Sequence, residues 1–222
     1  MPPRCYTKFH KFLCKLLANC DEEYTISLEA KDILDQLVHF IATRYAKACR
    51  DLSLYSQKVT LDSECIVTIT RIWFGDECSN ELLEYAYNVW EYYTTNTSRG
   101  ITKHARAGLH LPPSRIKNIF RDQLLQRQQL GETCYLFTTA IIEYIITAIL
   151  NNCIKLSSKK MVTGVYIFNT LNSKEIQKYK PIFKNIFIAG FGYIGDETLI
   201  ARQELLVEKL NDCGSDHSMS SQ

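Results

Sequence analysis

The sequence of 222 residues lacks the features that would place it at once among membrane, secreted or metal-binding proteins. No apolar run reaches the roughly 20 residues that a bilayer-spanning helix needs, and the best candidate, residues 140–150, predicts a buried helix. The amino-terminal segment has no uninterrupted apolar core and no small-residue cleavage site, so a secretory signal is not expected. With 46% hydrophobic and 23% charged residues, the composition is that of an ordinary globular protein.

Recognisable catalytic and metal-binding patterns are also missing. The nine cysteines are scattered and include no CxxC pair or zinc-type spacing, so we expect free thiols in a reducing compartment, without metal or cofactor. The five histidines form no HExxH motif, and no serine lies in a nucleophile elbow. Asp35 and Glu143 are expected to be surface charges on helices, and His39 a packing residue. Without an acid–base pair, the sequence predicts that the protein is not an enzyme.

The net charge of +2 is low for a protein that binds nucleic acid, but the charge is unevenly distributed. Residues 1–20 carry +4 and residues 99–184 carry +10, whereas residues 21–98 carry −8 and residues 185–222 carry −4. Basic segments of this kind are typical of a surface that binds a polyanion. They are also typical of a solvated helix face, and on charge alone that interpretation is favoured over nucleic-acid binding.

The first half of the chain predicts a short helix, a loop, a long helix, a second loop and further helices. Apolar residues spaced by three and four predict the short helix over residues 6–19 and a long helix that is capped by Ser27. Ser63 is a suitable cap for the next helix, which we expect to stop at Gly75 before another helix begins.

The second half repeats this order, with helices predicted over 114–125, 133–156 and 165–172. A long helix flanked by short ones cannot bury its apolar face alone, but two such units can cross at their long helices. One chain with two units would therefore supply its own partner.

Residues 190–195 read Gly-Phe-Gly-Tyr-Ile-Gly, which matches the GxGxxG pattern of dinucleotide-binding turns. A strand-like run precedes the glycines and a helix-like run over 197–210 follows them. The second parallel strand and its acidic residue, which that fold needs, are not evident. A nucleotide-binding enzyme is therefore kept only as a third hypothesis.

Two stretches resemble core histones. Residues 106–122, RAGLHLPPSRIKNIFRD, resemble the RAGLxFPxGR entry and first helix of a 2A-type histone, and AIIEYIITAIL resembles its long helix, VLEYLTAEIL. Residues 26–60 resemble the loop and long helix of a 2B-type histone, which begin ISSKAMxIMNSFVxDIFERIA. The order of the two in one chain resembles that of the histone doublets of large DNA viruses of the Marseillevirus kind.

The resemblance implies an all-α fold of two tandem histone folds, packed as an intramolecular handshake pseudo-heterodimer. It assigns a 2B-type fold with its C-terminal helix to residues 1–98, a linker to 99–105 and a 2A-type fold to 106–184. Residues 185–222 would form a docking segment followed by an acidic helix and tail.

The resemblance also implies a DNA-packaging role in the virion, the viral factory, or the host nucleus or cytoplasm. The chain would pair with a doublet of 3-type and 4-type histones to form a nucleosome-like particle, which holds double-stranded DNA through its backbone. No membrane and no small-molecule substrate are expected. The alternative is a histone-fold interaction module, of the transcription-factor kind, that does not wrap DNA.

Site residues follow from matching positions in the resemblance. The expected DNA-binding residues are Ser27, Lys58, Thr60, Arg106, Arg115, Arg121, Arg127 and Lys160. The expected docking strand for the 4-type partner comprises Ile188, Ala189, Gly190 and Gly192. The expected remnant of the histone acidic patch comprises Glu77, Glu143 and Glu175. Clustering of Arg115, Arg121, Lys58 and Lys160 on one ridge would favour DNA binding, and the missing basic tails imply loose wrapping.

Overall fold

The computed structural model describes residues 8–96, 102–157, 160–184, 186–188 and 190–194. The chain divides into two compact units, one up to Phe183 and one from Lys184 onwards. Both predicted repeats belong to the first unit, and the division falls beside the predicted boundary at residue 185.

The first unit is mostly helical, which agrees with the predicted all-α class. Its helices are α1 (His10–Cys20), α2 (Leu28–Ser56), α3 (Ser63–Thr95), α4 (Lys103–Arg106), α5 (Pro113–Gln123), α6 (Glu132–Leu156), α7 (Gly164–Asn172) and α8 (Lys180–Phe183), with a 3-10 helix over Lys174–Tyr179. Its strands have two residues each: β1 (Thr25–Ile26), β2 (Thr60–Leu61), β3 (Gln129–Leu130) and β4 (Met161–Val162).

The predicted repeat is visible in the order of these elements. A short helix, a strand, a long helix, a strand and a further helix occur first as α1 to α3 and again as α5 to α7. The strands pair crosswise between the repeats, because β1 is parallel to β4 and β2 is parallel to β3. Helix α6 packs along α3, and α5 packs against α2, so each half contacts the other through its helices as well.

Local sequence accounts for how α2 and α3 begin. Ser27 caps α2 as predicted, since its Oγ accepts a hydrogen bond from the amide of Ala30 at 3.1 Å. The cap predicted at Ser63 is wrong, because Asp62 fills that role for α3. Its carboxylate accepts from the amides of Glu64 at 3.0 Å and Cys65 at 3.3 Å, and Ser63 is already the first residue of the helix.

Gly75 interrupts α3 at the position where the sequence predicts a stop. Its φ of 69° and ψ of −178° are not helical, so the two predicted helices meet at a kink within a single element. Glycine suits this position because a residue with a Cβ rarely adopts positive φ.

Helix α6 forms the centre of the core, with 15 of its 25 residues buried. By length and composition it could cross a membrane, so the expectation based on residues 140–150 alone was too narrow. Within the protein, 78% of its most apolar 18-residue window is buried, as in the central helix of a globular core.

Candidate nucleic-acid interface

The two crosswise strand pairs each bring two helix N-termini together. Strands β1 and β4 lead directly into α2 and α7, while β2 and β3 lead directly into α3 and α6. The first turn of a helix exposes unsatisfied amide groups and the positive end of its dipole, which suits it to bind phosphate. We call these places the first strand pair (β1 with β4) and the second strand pair (β2 with β3).

The second strand pair carries three of the predicted DNA-binding residues. Thr60 is exposed and lies opposite Gln129 in the register, and Lys58 and Arg127 each lie two residues earlier in their own segments. Lys58 forms an ion pair of 2.6 Å with Glu64. Arg127 is exposed and has no hydrogen-bond or ion-pair partner among the residues that the structure describes.

The first strand pair carries Ser27 and Lys160. The carbonyl of Lys160 accepts a hydrogen bond of 3.0 Å from the amide of Thr25, and its ammonium group pairs with Glu23. Both predicted loop lysines are therefore paired with carboxylates of the same chain, although both remain exposed to solvent.

The predicted DNA-binding residues do not form a single cluster. Ser27 precedes the first residue of α2 and Lys58 follows its last turn, so the two strand pairs lie at opposite ends of a 29-residue helix. Such a helix is about 43 Å long. Lys58 and Lys160 are thus separate contact points, which a long ligand could touch together.

Arg115 lies in α5 and holds the start of α1. Its guanidinium donates a hydrogen bond to the carbonyl of Lys8, and it stacks over the rings of Phe9 and Phe12 with centroid distances of 5.5 and 4.8 Å. These contacts give the side chain a packing role within the fold.

Arg106 has a similar internal role at the C-terminal end of α3. Its Nε donates a hydrogen bond to the backbone carbonyl of Tyr93 at 2.9 Å, and its guanidinium lies 4.2 Å from the centroid of the Tyr93 ring. Arg121, in contrast, is exposed in the last turn of α5 and has no partner among the described residues. Arg121 and Arg127 are therefore the predicted arginines that remain available to a ligand.

Acidic residues reduce the capacity of three of the four helix N-termini to bind phosphate. Glu29, Glu64 and Glu132 lie in the first turns of α2, α3 and α6, whereas α7 has no acid there. A carboxylate in this position stabilises its own helix and repels an approaching phosphate.

Glu143 is not part of an exposed acidic patch, contrary to the sequence-based expectation. Its side chain is only 2% exposed, and it accepts hydrogen bonds from the amides of His110 at 2.8 Å and Leu111 at 2.7 Å. The ring Nδ1 of His110 lies 3.2 Å from its other oxygen. Burial raises the pKa of Glu143, and the bonds from Leu111 and His110 oppose that rise.

Asp35 also departs from the expected surface role, because one of its oxygens accepts the amide of Phe9 at 2.6 Å. The spacing of apolar residues could not predict these roles of Asp35 and Glu143, because the amides that each carboxylate binds are far away in the sequence. Glu77 and Glu175 are exposed, as a surface patch requires. Of the three residues predicted for an acidic patch, Glu77 and Glu175 are thus exposed and Glu143 is not.

The glycine motif forms a hairpin in the described part of the second unit. Strand β5 (Phe187–Ile188) pairs with the antiparallel strand β6 (Gly192–Tyr193), and the amide of Phe191 donates to the carbonyl of Ile188 at 3.0 Å. Gly190 has a φ of 87° in this turn, a conformation that favours glycine. Gly192 thus lies in a strand and not at the start of a helix, while Ala189 and residues 195–222 are outside the described residues.

No protein-family model and no curated protein sequence matches this chain.

The strand pairs can be tested with two glycines that differ in what a new methyl group would meet. A Cβ on Gly131 would lie 2.8 Å from the carbonyl oxygen of Leu61 in β2, whereas one on Gly164 would lie 2.7 Å from Cδ of Glu29, a flexible side chain on an exposed helix end. We expect Gly131→Ala to lower the free energy of unfolding by about 1–3 kcal/mol. Gly164→Ala should cost clearly less, because a side chain can move aside and a paired backbone carbonyl cannot. Equal losses in urea unfolding would contradict this difference between the two glycines.

Proposed function

We propose that this chain is a histone doublet that packages DNA, with its two repeats acting as the two histone folds of a handshake pair. The proposal is supported by the repeated order of short helix, strand, long helix and strand. It is supported further by the crosswise pairing of the strands, which lets each repeat cover the long helix of the other.

The observation that carries the proposal is the position of the two strand pairs at the two ends of α2. Each strand pair brings together two helix N-termini and at least one basic side chain. The first strand pair carries Lys160, and the second carries Lys58 and Arg127. A separation of about 43 Å corresponds to roughly 13 base pairs of duplex at 3.4 Å each. Two contacts to the DNA backbone at this spacing, without contacts to base edges, are typical of a protein that wraps DNA without recognising its sequence.

We expect the binding to be weak. The loop lysines are paired with Glu64 and Glu23, and the arginines at positions 106 and 115 are engaged in packing. This leaves Arg121 and Arg127 as the exposed arginines among the eight predicted contact residues.

The same observations favour a second candidate, a histone-fold interaction module that does not wrap DNA. First-turn glutamates at three helix N-termini repel phosphate, and they stabilise the fold whether or not DNA is present. The two candidates differ in one measurable property, which is the number of counterions released when DNA binds.

A partner that supplies 3-type and 4-type folds has two surface features available to it. Tyr55 is 89% exposed near the end of α2, and it lines a surface pocket of about 380 Å³ with Leu54 and Asp51. The hairpin of Ile188 and Gly192 supplies a short strand, to which a partner strand could be added. We propose both as docking points for such a doublet.

The salt dependence of DNA binding tests the proposal. We expect the affinity for random-sequence duplex DNA to fall steeply with salt, and each of Arg121→Ala and Arg127→Ala to reduce the log–log slope by about 0.9. Lys47→Ala is the matched control, because Lys47 is an exposed base on α2 away from both strand pairs. Slopes that stay unchanged in both arginine variants would favour the interaction module.

Nuclease digestion addresses packaging directly. The full chain is mixed with DNA and a doublet of 3-type and 4-type histones, and the protected fragments are sized. A discrete protected length supports a nucleosome-like particle, whereas continuous degradation contradicts it.

A further inference from the structure

Histidines gather at one junction of the fold. The chain has five, and the four within the described residues all lie where α1 meets α2, α4 and the segment before α5. On the α2 side, His10 Nε2 lies 3.0 Å from Asp32, and the ring of His39 meets that of Phe9 edge-on at 5.2 Å. Histidine is the side chain whose ordinary charge change falls between pH 5 and 8.

The other two histidines lie on the second half of the chain. His104 in α4 meets the ring of Phe12 edge-on at 6.3 Å, and His110 pairs with the buried carboxylate of Glu143. The junction therefore joins α1 of the first half to the entry segment of the second half.

The start of α1 is held at this junction by two charged groups. Asp35 accepts the amide of Phe9, and Arg115 donates to the carbonyl of Lys8 and covers the rings of Phe9 and Phe12. His39 lies in the same place, with Nε2 4.0 Å from Asp35. A change of charge on His39 acts directly on the groups that fasten α1.

The surroundings disfavour the charged form of two of these histidines. Burial lowers the pKa of His39, Asp35 on its own helix opposes that effect, and Arg115 adds a smaller contribution in the same direction as burial. Burial also lowers the pKa of His104, with Lys15 of α1 and His110 adding to the effect. Lys8 and Asp32 are also charged groups at the junction, and they pair with each other at 2.9 Å.

We propose that this junction is an acid-sensitive clasp, in which protonation of His39 and His104 releases the start of α1 from Asp35 of α2 and Arg115 of α5 while the long helices stay packed. Protonated His39 would carry its charge in a half-buried site beside Arg115, and the main cost is the loss of hydration of that charge. Moving the start of α1 away restores the hydration, so protonation weakens the hold on Lys8 and Phe9. The inference does not depend on the DNA-packaging proposal, because it concerns contacts within the chain.

The direction of the pH effect follows from linkage. Above the ordinary histidine pKa of 6.5, His39 and His104 are neutral in both the closed and the released state, so the clasp has its full stability. As the pH falls through 6.5, the released state takes up protons first, and the clasp loses stability. Glu143 acts in the opposite sense, because its raised pKa favours the folded state as the pH falls.

Hydrogen exchange followed by mass spectrometry tests the clasp in the full-length chain. The readout is the ratio of amide exchange at pH 5.5 to that at pH 7.5 in peptides from α1, corrected for intrinsic exchange and compared with peptides from α6. We expect a several-fold rise for α1, a ratio near one for α6, and the same pattern in the tail control His217→Gln.

The double variants His39→Gln/His104→Gln and His39→Leu/His104→Gln remove the titrating groups in two different ways. A ratio near one for α1 in these variants supports the clasp, even where the absolute rate has risen at pH 7.5. A rise that persists in both variants, no rise in the unmodified chain, or an equal rise in α6 would overturn the proposal.

Discussion

A chain cut between its two halves should remain a single particle under native conditions. A protease site inserted between Asn96 and Thr102 would separate the first repeat from the second without touching the described helices α3 and α5. We expect the two fragments to co-elute in size-exclusion chromatography and to separate only in denaturant.

The physical reason is that neither half covers its own apolar surface. Helix α6 of the second half packs along α3 of the first, and both short parallel strand pairs join one half to the other. Exposing one large aliphatic side chain costs roughly 1.5–3 kcal/mol, and α6 alone buries Ile141, Ile142, Ile145, Ile146 and Ile149. Recovery of two stable, separate fragments would contradict both the crosswise pairing and the doublet proposal.

Replacing Glu143 by alanine should be among the most damaging single changes. The carboxylate is the partner of two backbone amides, those of His110 and Leu111, and of the His110 ring. Removing it leaves these donors unsatisfied in the protein interior, and we expect a loss of about 3–5 kcal/mol in the free energy of unfolding.

Glu143→Gln separates hydrogen bonding from charge. The glutamine oxygen can still accept both amides, and the ionised carboxylate is already disfavoured by burial, so we expect a change within about 1 kcal/mol. Glu175→Ala is the surface control, because Glu175 is exposed. In urea unfolding at pH 7.5, equal losses for the alanine and glutamine variants would show that charge, and not hydrogen bonding, is what the site needs.

Periodicity and capping chemistry determined much of the helical framework. The spacing of apolar residues located α2 and α6, Ser27 marked the start of α2, and Gly75 marked the break within α3. These features depend on contacts between residues that are near in sequence, so their pattern can be read directly from the chain. The resemblance to histones remains a matter of sequence, and it supplied the candidate site residues.

The tertiary structure alone decided which of those candidates face solvent. Sequence position treats Arg106, Arg115 and Arg127 alike, yet the first two are drawn into contacts with Tyr93 and with Lys8 and Phe9, and the third stays free among the described residues. The reason is that a side chain's availability depends on partners that folding brings from 13 to 107 positions away.

The same reason explains why Asp35 and Glu143 were expected to be surface charges and are not. Glu143 binds the amides of residues 32 and 33 positions away, and no local sequence pattern places those amides beside it. The sequence by itself determined the helices and their repeat. The tertiary structure decided the burial of charge, because burial is a property of the packed chain and not of any segment within it.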